Sequence, residues 1–287
     1  MSPSSLYLRA RVRVFCLMSV SIALATGVLV WTATQGVGAR SDLRKQLSRG
    51  ERQSDTSSIS PANIRQISLI TKDLVYDPVG QRIYASLPSS APNGNSLVPI
   101  EPVAGTVGTP VPIGSEPGKL AISDNSQFIY ASLDGSAAVR RFDIASQTAG
   151  LQFTLGSDSL GNYFVNDIAV MPGQPHTVAV ARRVNGPIVG EANVAIYDDA
   201  AVRLNTTQTG VVSVLQFVSP TTLYGYENAS SDFGFRTMSV SSSGVTVTSS
   251  LGNYISGFGV DIRAAAGMIY ATSGAVLNPA TSMLVGT

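Results

Sequence analysis

One short run of residues returns along this chain at a nearly constant spacing. Arg82-Ile83-Tyr84-Ala85-Ser86-Leu87 comes back as Phe128-Ile129-Tyr130-Ala131-Ser132-Leu133 and again as Met268-Ile269-Tyr270-Ala271-Thr272. Weaker copies are Thr177-Val178-Ala179-Val180 and Leu223-Tyr224-Gly225-Tyr226. Taking positions 84, 130, 178, 224 and 270 as equivalent gives offsets of 46, 48, 46 and 46. A unit that recurs this evenly cannot bury its apolar face alone, so neighbouring units must stack to make a continuous core.

Each unit parses into strands. An apolar run leads: Leu74-Val75-Tyr76, Leu120-Ala121-Ile122, Ile168-Ala169-Val170, Leu215-Gln216-Phe217 and Val260-Asp261-Ile262. Turn residues such as Asp77-Pro78-Val79-Gly80 follow, then the Tyr-bearing run, then a third (Ser96–Ile100, Ala138–Phe142) and a fourth (Gln152–Leu155). Short β-branched and aromatic runs bounded by Gly, Pro, Asn and Asp are strands and hairpins. Amphipathic helical segments are absent from the pattern. The period and the four strands together predict an all-β propeller of four-stranded blades, with the leading strand innermost and packed on both faces. The units are expected near 71–114, 115–159, 160–210, 211–253 and 254–287.

The run Asp77-Pro78-x-Gly80-x-Arg82-Ile83-Tyr84-Ala85, then Ser96-Leu97-Val98-Pro99-Ile100-Glu101-Pro102-x-x-Gly105 and Val111-Pro112-Ile113-Gly114, resembles the repeat of the YVTN-type β-propellers. The second unit, with Pro117, Lys119–Asp124, Ile129-Tyr130-Ala131, Val139 and Phe142-Asp143, matches about as well; the fourth departs most. The resemblance covers residues 65–287. It implies an exported bacterial protein of the seven-bladed quinoprotein and lactonase-like propeller group, many of whose members sit at the cell surface. It is specific for architecture and implies no one activity.

The amino terminus agrees with export. Arg9, Arg11 and Arg13 precede an uncharged stretch from Val14 to Trp31, and Val37-Gly38-Ala39 offers small residues for cleavage. Residues 1–39 are therefore read as an export signal, with an uncleaved membrane anchor through residues 14–31 as the alternative. Residues 40–64 form a polar linker. Cys16, the one cysteine, lies in the leader, so the mature chain has no thiol or disulfide chemistry. A net charge of +1 gives no electrostatic case for nucleic acid, and 44% hydrophobic against 13% charged residues excludes a disordered polyelectrolyte. The expected location is the periplasm, cell surface or extracellular space.

Gln66–Ile70 reads as an orphan fourth strand aligned with Val111-Pro112-Ile113. Its blade partners would lie past Thr287, which predicts about five repeats of a longer seven- or eight-bladed ring; a closed five-bladed ring is the alternative.

Chemistry is sparse. His176, the single histidine, sits in the turn Pro172-Gly173-Gln174-Pro175-His176, and one imidazole builds neither a multi-His metal site nor, without a Gly-x-Ser-x-Gly elbow, a Ser-His-Asp set. Asp124 and Asp198-Asp199 lack the ligand ladder of a calcium loop and are explained by turn chemistry. Asn205-Thr206-Thr207 and Asn228-Ala229-Ser230 are glycosylation sequons, meaningful only in a eukaryotic host. In Arg140-Arg141 and Arg182-Arg183, alternation on a strand predicts one solvated member of each pair. No catalytic, metal or cofactor residues are assigned.

One set of positions is a candidate site. Just before each leading strand stand Asp73, Lys119, Asp167, Ser213 and Gly259, which should ring the mouth of a central channel. Asp73, Lys119 and Asp167 are read as a polar ligand-binding rim, with Lys119 taking an anionic group; the competing reading is a ring of charges that satisfies strand ends. The function expected is a non-catalytic binding or scaffold module at the cell envelope, with a protein or envelope polysaccharide as partner, no cofactor and no nucleic acid. The alternative is the propeller portion of an exported quinoprotein-like oxidoreductase or lactonase-like hydrolase.

Overall fold

The computed structural model describes residues 65–185, 190–210, 212–252 and 254–286. The export signal and linker assigned to residues 1–64 lie outside them. Among the described residues there is no helix, and hence none long and apolar enough to cross a membrane.

Five antiparallel sheets follow one another along the chain. Blade 1 holds β1 (Leu74–Asp77), β2 (Arg82–Leu87), β3 (Ser96–Glu101), β4 (Thr106–Val107) and β5 (Val111–Pro112). Blade 2 holds β6 (Pro117–Ile122), β7 (Phe128–Leu133), β8 (Ala138–Asp143) and β9 (Thr148–Thr154). Blade 3 begins with a two-residue strand, β10 (Ser157–Asp158), and continues through β11 (Gly161–Met171), β12 (Gln174–Val184), β13 (Gly190–Asp198) and β14 (Ala201–Val202). Blade 4 is β15 (Val214–Ser219), β16 (Thr222–Tyr226), β17 (Phe235–Ser241) and β18 (Gly244–Leu251); blade 5 is β19 (Ile262–Ala265), β20 (Met268–Ala271), β21 (Val276–Asn278) and β22 (Met283–Gly286). β1, β6, β11, β15 and β19 stand side by side in that order, so the leading strands are the inner edge of a fan. In blade 1 the fourth strand is split: β4 pairs Ile100 and Glu101, and β5 pairs Ser96 and Leu97, of the same β3.

The core lies between blades. Four apolar clusters join blade 1 to 2, 2 to 3, 3 to 4 and 4 to 5. Among the described residues no such cluster joins blade 5 to blade 1. The repeated tyrosine explains how the seams are made. Tyr84 faces blade 2, fully buried, and its hydroxyl accepts from Gln147 Nε2 at 2.7 Å. Tyr130 faces blade 3, equally buried, and donates to the Pro175 carbonyl at 2.9 Å. Tyr270 occupies the same place in blade 5, where no described blade covers it, and is 44% exposed. Leu74 and Tyr76 of β1 are also exposed, so packing on both faces, expected of every leading strand, fails at the end blade.

Register corrects two further expectations. In blade 3, Ala179 rather than Val178 takes the tyrosine position, because Ala169 pairs Ala179 as Ala121 pairs Tyr130. The segment Gln66–Ile70 is not a strand; Ile67 and Ile70 are exposed and only Leu69 packs, against the cluster of Ala85, Leu87 and Val98.

The divergent Gly225 also has a cause. Its counterparts Ala85 and Ala131 are buried, but a Cβ at 225 would lie 2.6 Å from Val212 Cγ1 and 2.9 Å from Met238 Cε. Val212 fills the volume that a methyl group fills elsewhere. Gly225→Ala is therefore expected to lower stability by about 1 to 3 kcal/mol through overpacking, read from the urea midpoint. Pairing it with Val212→Ala should recover most of the loss.

Candidate functional site

The inner strands bring charged residues together where they start. Asp73 and Ser86 face each other at the end of the β1–β2 ladder: the Asp73 N–H donates to Ser86 Oγ at 3.0 Å. Thr272 repeats Ser86, and the Asp261 N–H donates to Thr272 Oγ1 at 3.0 Å. Asp261, not Gly259, is thus the blade 5 member of the rim. In blade 4 the ladder places Val214 there instead of Ser213, since Leu215 pairs Gly225 as Leu74 pairs Ala85. The rim in chain order is Asp73, Lys119, Asp167, Val214 and Asp261.

Two of these carboxylates accept from the next blade. Asp73 Oδ1 accepts from its own strand at Leu74 N (2.9 Å), and Oδ2 reaches blade 2 at Leu120 N (2.8 Å). Asp167 Oδ2 reaches blade 4 in the same way, at Leu215 N (2.7 Å). Each therefore fastens one inner strand to the next, which satisfies a backbone donor that a propeller's inner edge leaves open. Asp261 Oδ1 accepts from Ile262 N at 2.8 Å.

Lys119 is exposed at this rim and makes no ion pair within 4.0 Å among the described residues. Partial burial works to lower its pKa, yet the fields of Asp167, Asp73 and Asp261 outweigh that and hold it above the usual lysine value. Burial raises Asp73, against the Leu120 N–H and Lys119. Asp167 keeps some contact with solvent but is closely surrounded by protein, and burial pushes it up to about 7 in spite of Lys119 and the Leu215 N–H. Among the described residues no three His, Cys, Asp or Glu side chains are grouped so as to hold a metal ion.

The remaining candidates are tied into seams. His176 is half exposed; its Nδ1 lies 3.0 Å from Asp199 Oδ1 and 2.8 Å from Arg141 Nη1, and its ring meets Phe128 edge-on. Arg141 stacks on Phe128 at 4.5 Å and pairs with Asp199. Asp124 accepts from Gly173 N of blade 3. Neither arginine pair has a simply solvated member. Arg140 bonds Gln152, and Arg183 pairs with Asp134 of blade 2. Arg182 is buried over Tyr163, bonded to Asn193, Tyr197 and the Leu155 carbonyl. Neighbouring strands supply the rings and most of the acceptors, and for Arg141 and Arg183 the adjacent blade supplies the carboxylate, none of which alternation along one strand reveals. Asn228 of the second sequon donates to the Val260 carbonyl at 2.9 Å, across the seam to blade 5.

Comparison with known proteins supports the architecture. The chain is similar to Kuenenia stuttgartiensis hydrazine synthase, with a TM-score of 0.57 and 15% identity, over 76% of this chain and 58% of that one. It is also similar to a protein of unknown function from Desulfotomaculum acetoxidans, with a TM-score of 0.56 and 11% identity, over 78% and 70%. The fold is a β-propeller. At these identities the likeness shows the fold alone, and the chain spans little more than half the length of the hydrazine synthase chain. No family model matches the sequence, and no curated protein matches it.

Proposed function

We propose that this propeller is an exported, non-catalytic binding module of the YVTN type at the cell envelope, and that its inner rim holds a neutral polar ligand such as an envelope polysaccharide. The observation that carries this is Lys119: an exposed ammonium surrounded by Asp73, Asp167 and Asp261 but paired with none of them. An ammonium in that position is free to donate to a ligand oxygen. Three carboxylates around one lysine repel a free anion, which argues against the anionic group first expected for Lys119 and in favour of hydroxyl groups. Asp261 adds an acceptor on the same rim.

The test is retention of the full-length chain on purified envelope polysaccharide. Asp73→Asn, Lys119→Met and Asp167→Asn combined keep acceptors for Leu120 N and Leu215 N, so the fold should survive. Retention should fall at least about tenfold, a loss of about 1.4 kcal/mol. Undiminished retention by a folded triple variant rejects the rim as the site. Fractionation of cells expressing the chain tests export separately; a wholly cytoplasmic distribution counts against the envelope.

A further inference from the structure

Two loops on the rim side of blades 4 and 5 hold a pair of aromatic rings that the blades do not cover. An inner strand starts at the rim and the second strand returns to it, so the loop after the second strand lies at the same end as the loop before the first. Phe233 stands in the loop after β16, and Phe258 in the loop before β19. Their rings meet edge to face, 5.0 Å apart and at 71°. Phe233 is half-buried, whereas Phe258 is 69% exposed.

The loop that carries Phe258 is anchored on both sides of it. Before it, Ile255 is fully buried and the Gly257 carbonyl accepts from the Tyr226 hydroxyl at 3.4 Å. After it, the Gly259 N–H donates to the Asn228 carbonyl at 3.0 Å, and the Val260 carbonyl accepts from Asn228 Nδ2 at 2.9 Å. Gly257 and Gly259 have φ of +125° and +66°, backbone settings that a side chain would strain. Those settings swing Phe258 outward and hold it there. Its phenyl group stays in water until another molecule covers it.

The surroundings define that molecule. Ser230, Ser231, Asp232 and Ser256, exposed on the same two loops, are polar, and no other large apolar side chain of these loops is exposed among the described residues. A protein interface needs a wider apolar patch than one ring. One ring matches one pyranose, whose C–H bonds form an apolar face while its hydroxyl groups point outward from the edge. The polar groups for those hydroxyls are close: Phe258 precedes Asp261 by three residues, within about 11 Å along the chain, and the Asp261 charge acts on Lys119. A chain of equatorially linked pyranoses is a flat ribbon, so one ring can lie on the phenyl group while the next extends over the rim. Axial linkage bends the chain away.

We propose that Phe258, steadied by Phe233, is a stacking platform for a pyranose ring, and that the rim ligand is an equatorially linked chain of the glucose or N-acetylglucosamine kind. This rests on the reading of the rim as a saccharide site and names the saccharide.

Titration calorimetry of the full-length chain with cellotriose, tri-N-acetylchitotriose and maltotriose varies the linkage at constant ring number. The better of the first two is expected to bind at least about tenfold more tightly than maltotriose. Phe258→Ala and Phe258→Leu should each reduce that affinity about tenfold, since leucine keeps apolar bulk but has no ring face, and Phe258→Trp should preserve it. The exposed position lets all three variants fold, which unchanged urea midpoints verify. In Phe258→Trp the ligand should also shift the indole emission, the parent chain's one tryptophan being Trp31 in the leader. Equal binding of maltotriose, no binding of either equatorially linked trisaccharide, or parental affinity in Phe258→Ala overturns the proposal. Parental affinity in Phe258→Ala together with lost retention in the rim triple variant removes the platform and leaves the rim standing; undiminished retention in the triple variant removes the rim itself.

Discussion

Tyr130→Ala should unfold at much lower urea than the parent chain, with a loss of about 3 to 5 kcal/mol, whereas Tyr270→Ala should cost less than about 1 kcal/mol. The two residues occupy equivalent places in the repeat, so propensity and local sequence do not separate them. Position in the fan does. Tyr130 is sealed between blades 2 and 3, beside Phe128, Val178 and Val180, and its hydroxyl is spent on the Pro175 carbonyl. Truncating it opens a cavity at a seam and orphans that acceptor. Tyr270 faces away from blade 4 with 44% of its surface already in water. Tyr130→Phe isolates the hydrogen bond and should cost about 1 kcal/mol. Similar losses at both tyrosines would mean that the face of blade 5 is covered in solution.

The second large effect is on pH dependence. Asp167 has a carboxyl pushed up to about 7, from an ordinary value near 3.8, by burial against the pull of Lys119 and the Leu215 N–H, with Asp261 adding to the rise. A carboxyl whose folded pKa is raised keeps its proton in the native state while the unfolded chain has already lost it. Its contribution is therefore fully present below pH about 4 and is lost as pH rises through about 7. A shift of this size corresponds to at most about 4 kcal/mol, and the solvent that Asp167 still meets reduces it. Asp73, raised in the same direction, adds a smaller slope of the same sign. Urea midpoints taken from acid to slightly alkaline pH should fall for the parent chain. The decline should flatten in Asp167→Asn, which keeps an acceptor for Leu215 N. A parent chain whose midpoints rise across that window would show that Asp167 is ionised throughout.

The blades were legible in the sequence because four of the five carry a tyrosine in the same place, at 84, 130, 224 and 270, with Ala179 standing there in blade 3, and the seam bonds of Tyr84 and Tyr130 show why that residue type recurs. The rim was legible only in part. Asp73, Lys119 and Asp167 follow from counting along the repeat, since 13 residues separate Asp73 from Ser86. Asp261 was missed because only 11 separate it from Thr272, the β19–β20 hairpin being tighter by two. Counting forward from one strand cannot register a shortening in the turn beside it; matching Thr272 to Ser86 and then reading back would have. Glu227 gave no signal at all. Tyr226-Glu227-Asn228-Ala229-Ser230 reads as an ordinary polar turn, and only in the fold is the Glu227 carboxylate fully buried, its Oε1 accepting from Ala229 N and Ser230 N. The buried Arg182 was hidden for the same reason: Tyr163, Asn193 and Leu155 reach it from other strands.

The rim carboxylates keep a different count from the blades. Asp73, Asp167 and Asp261 are 94 residues apart in each interval (73 to 167 and 167 to 261), so acid recurs on every second blade and its two cross-blade donors, Leu120 N and Leu215 N, belong to the blades between. Seams are consequently of two sorts, those clasped at the rim by a carboxylate that accepts from the next inner strand and those without such a clasp at the rim. The module that conserves this alternation is a pair of blades. Excising blade 2 alone would set Asp73 beside Asp167 and remove the lysine between them, while excising a pair would leave acid and non-acid still taking turns. Anyone shortening, lengthening or grafting this propeller should cut it in twos.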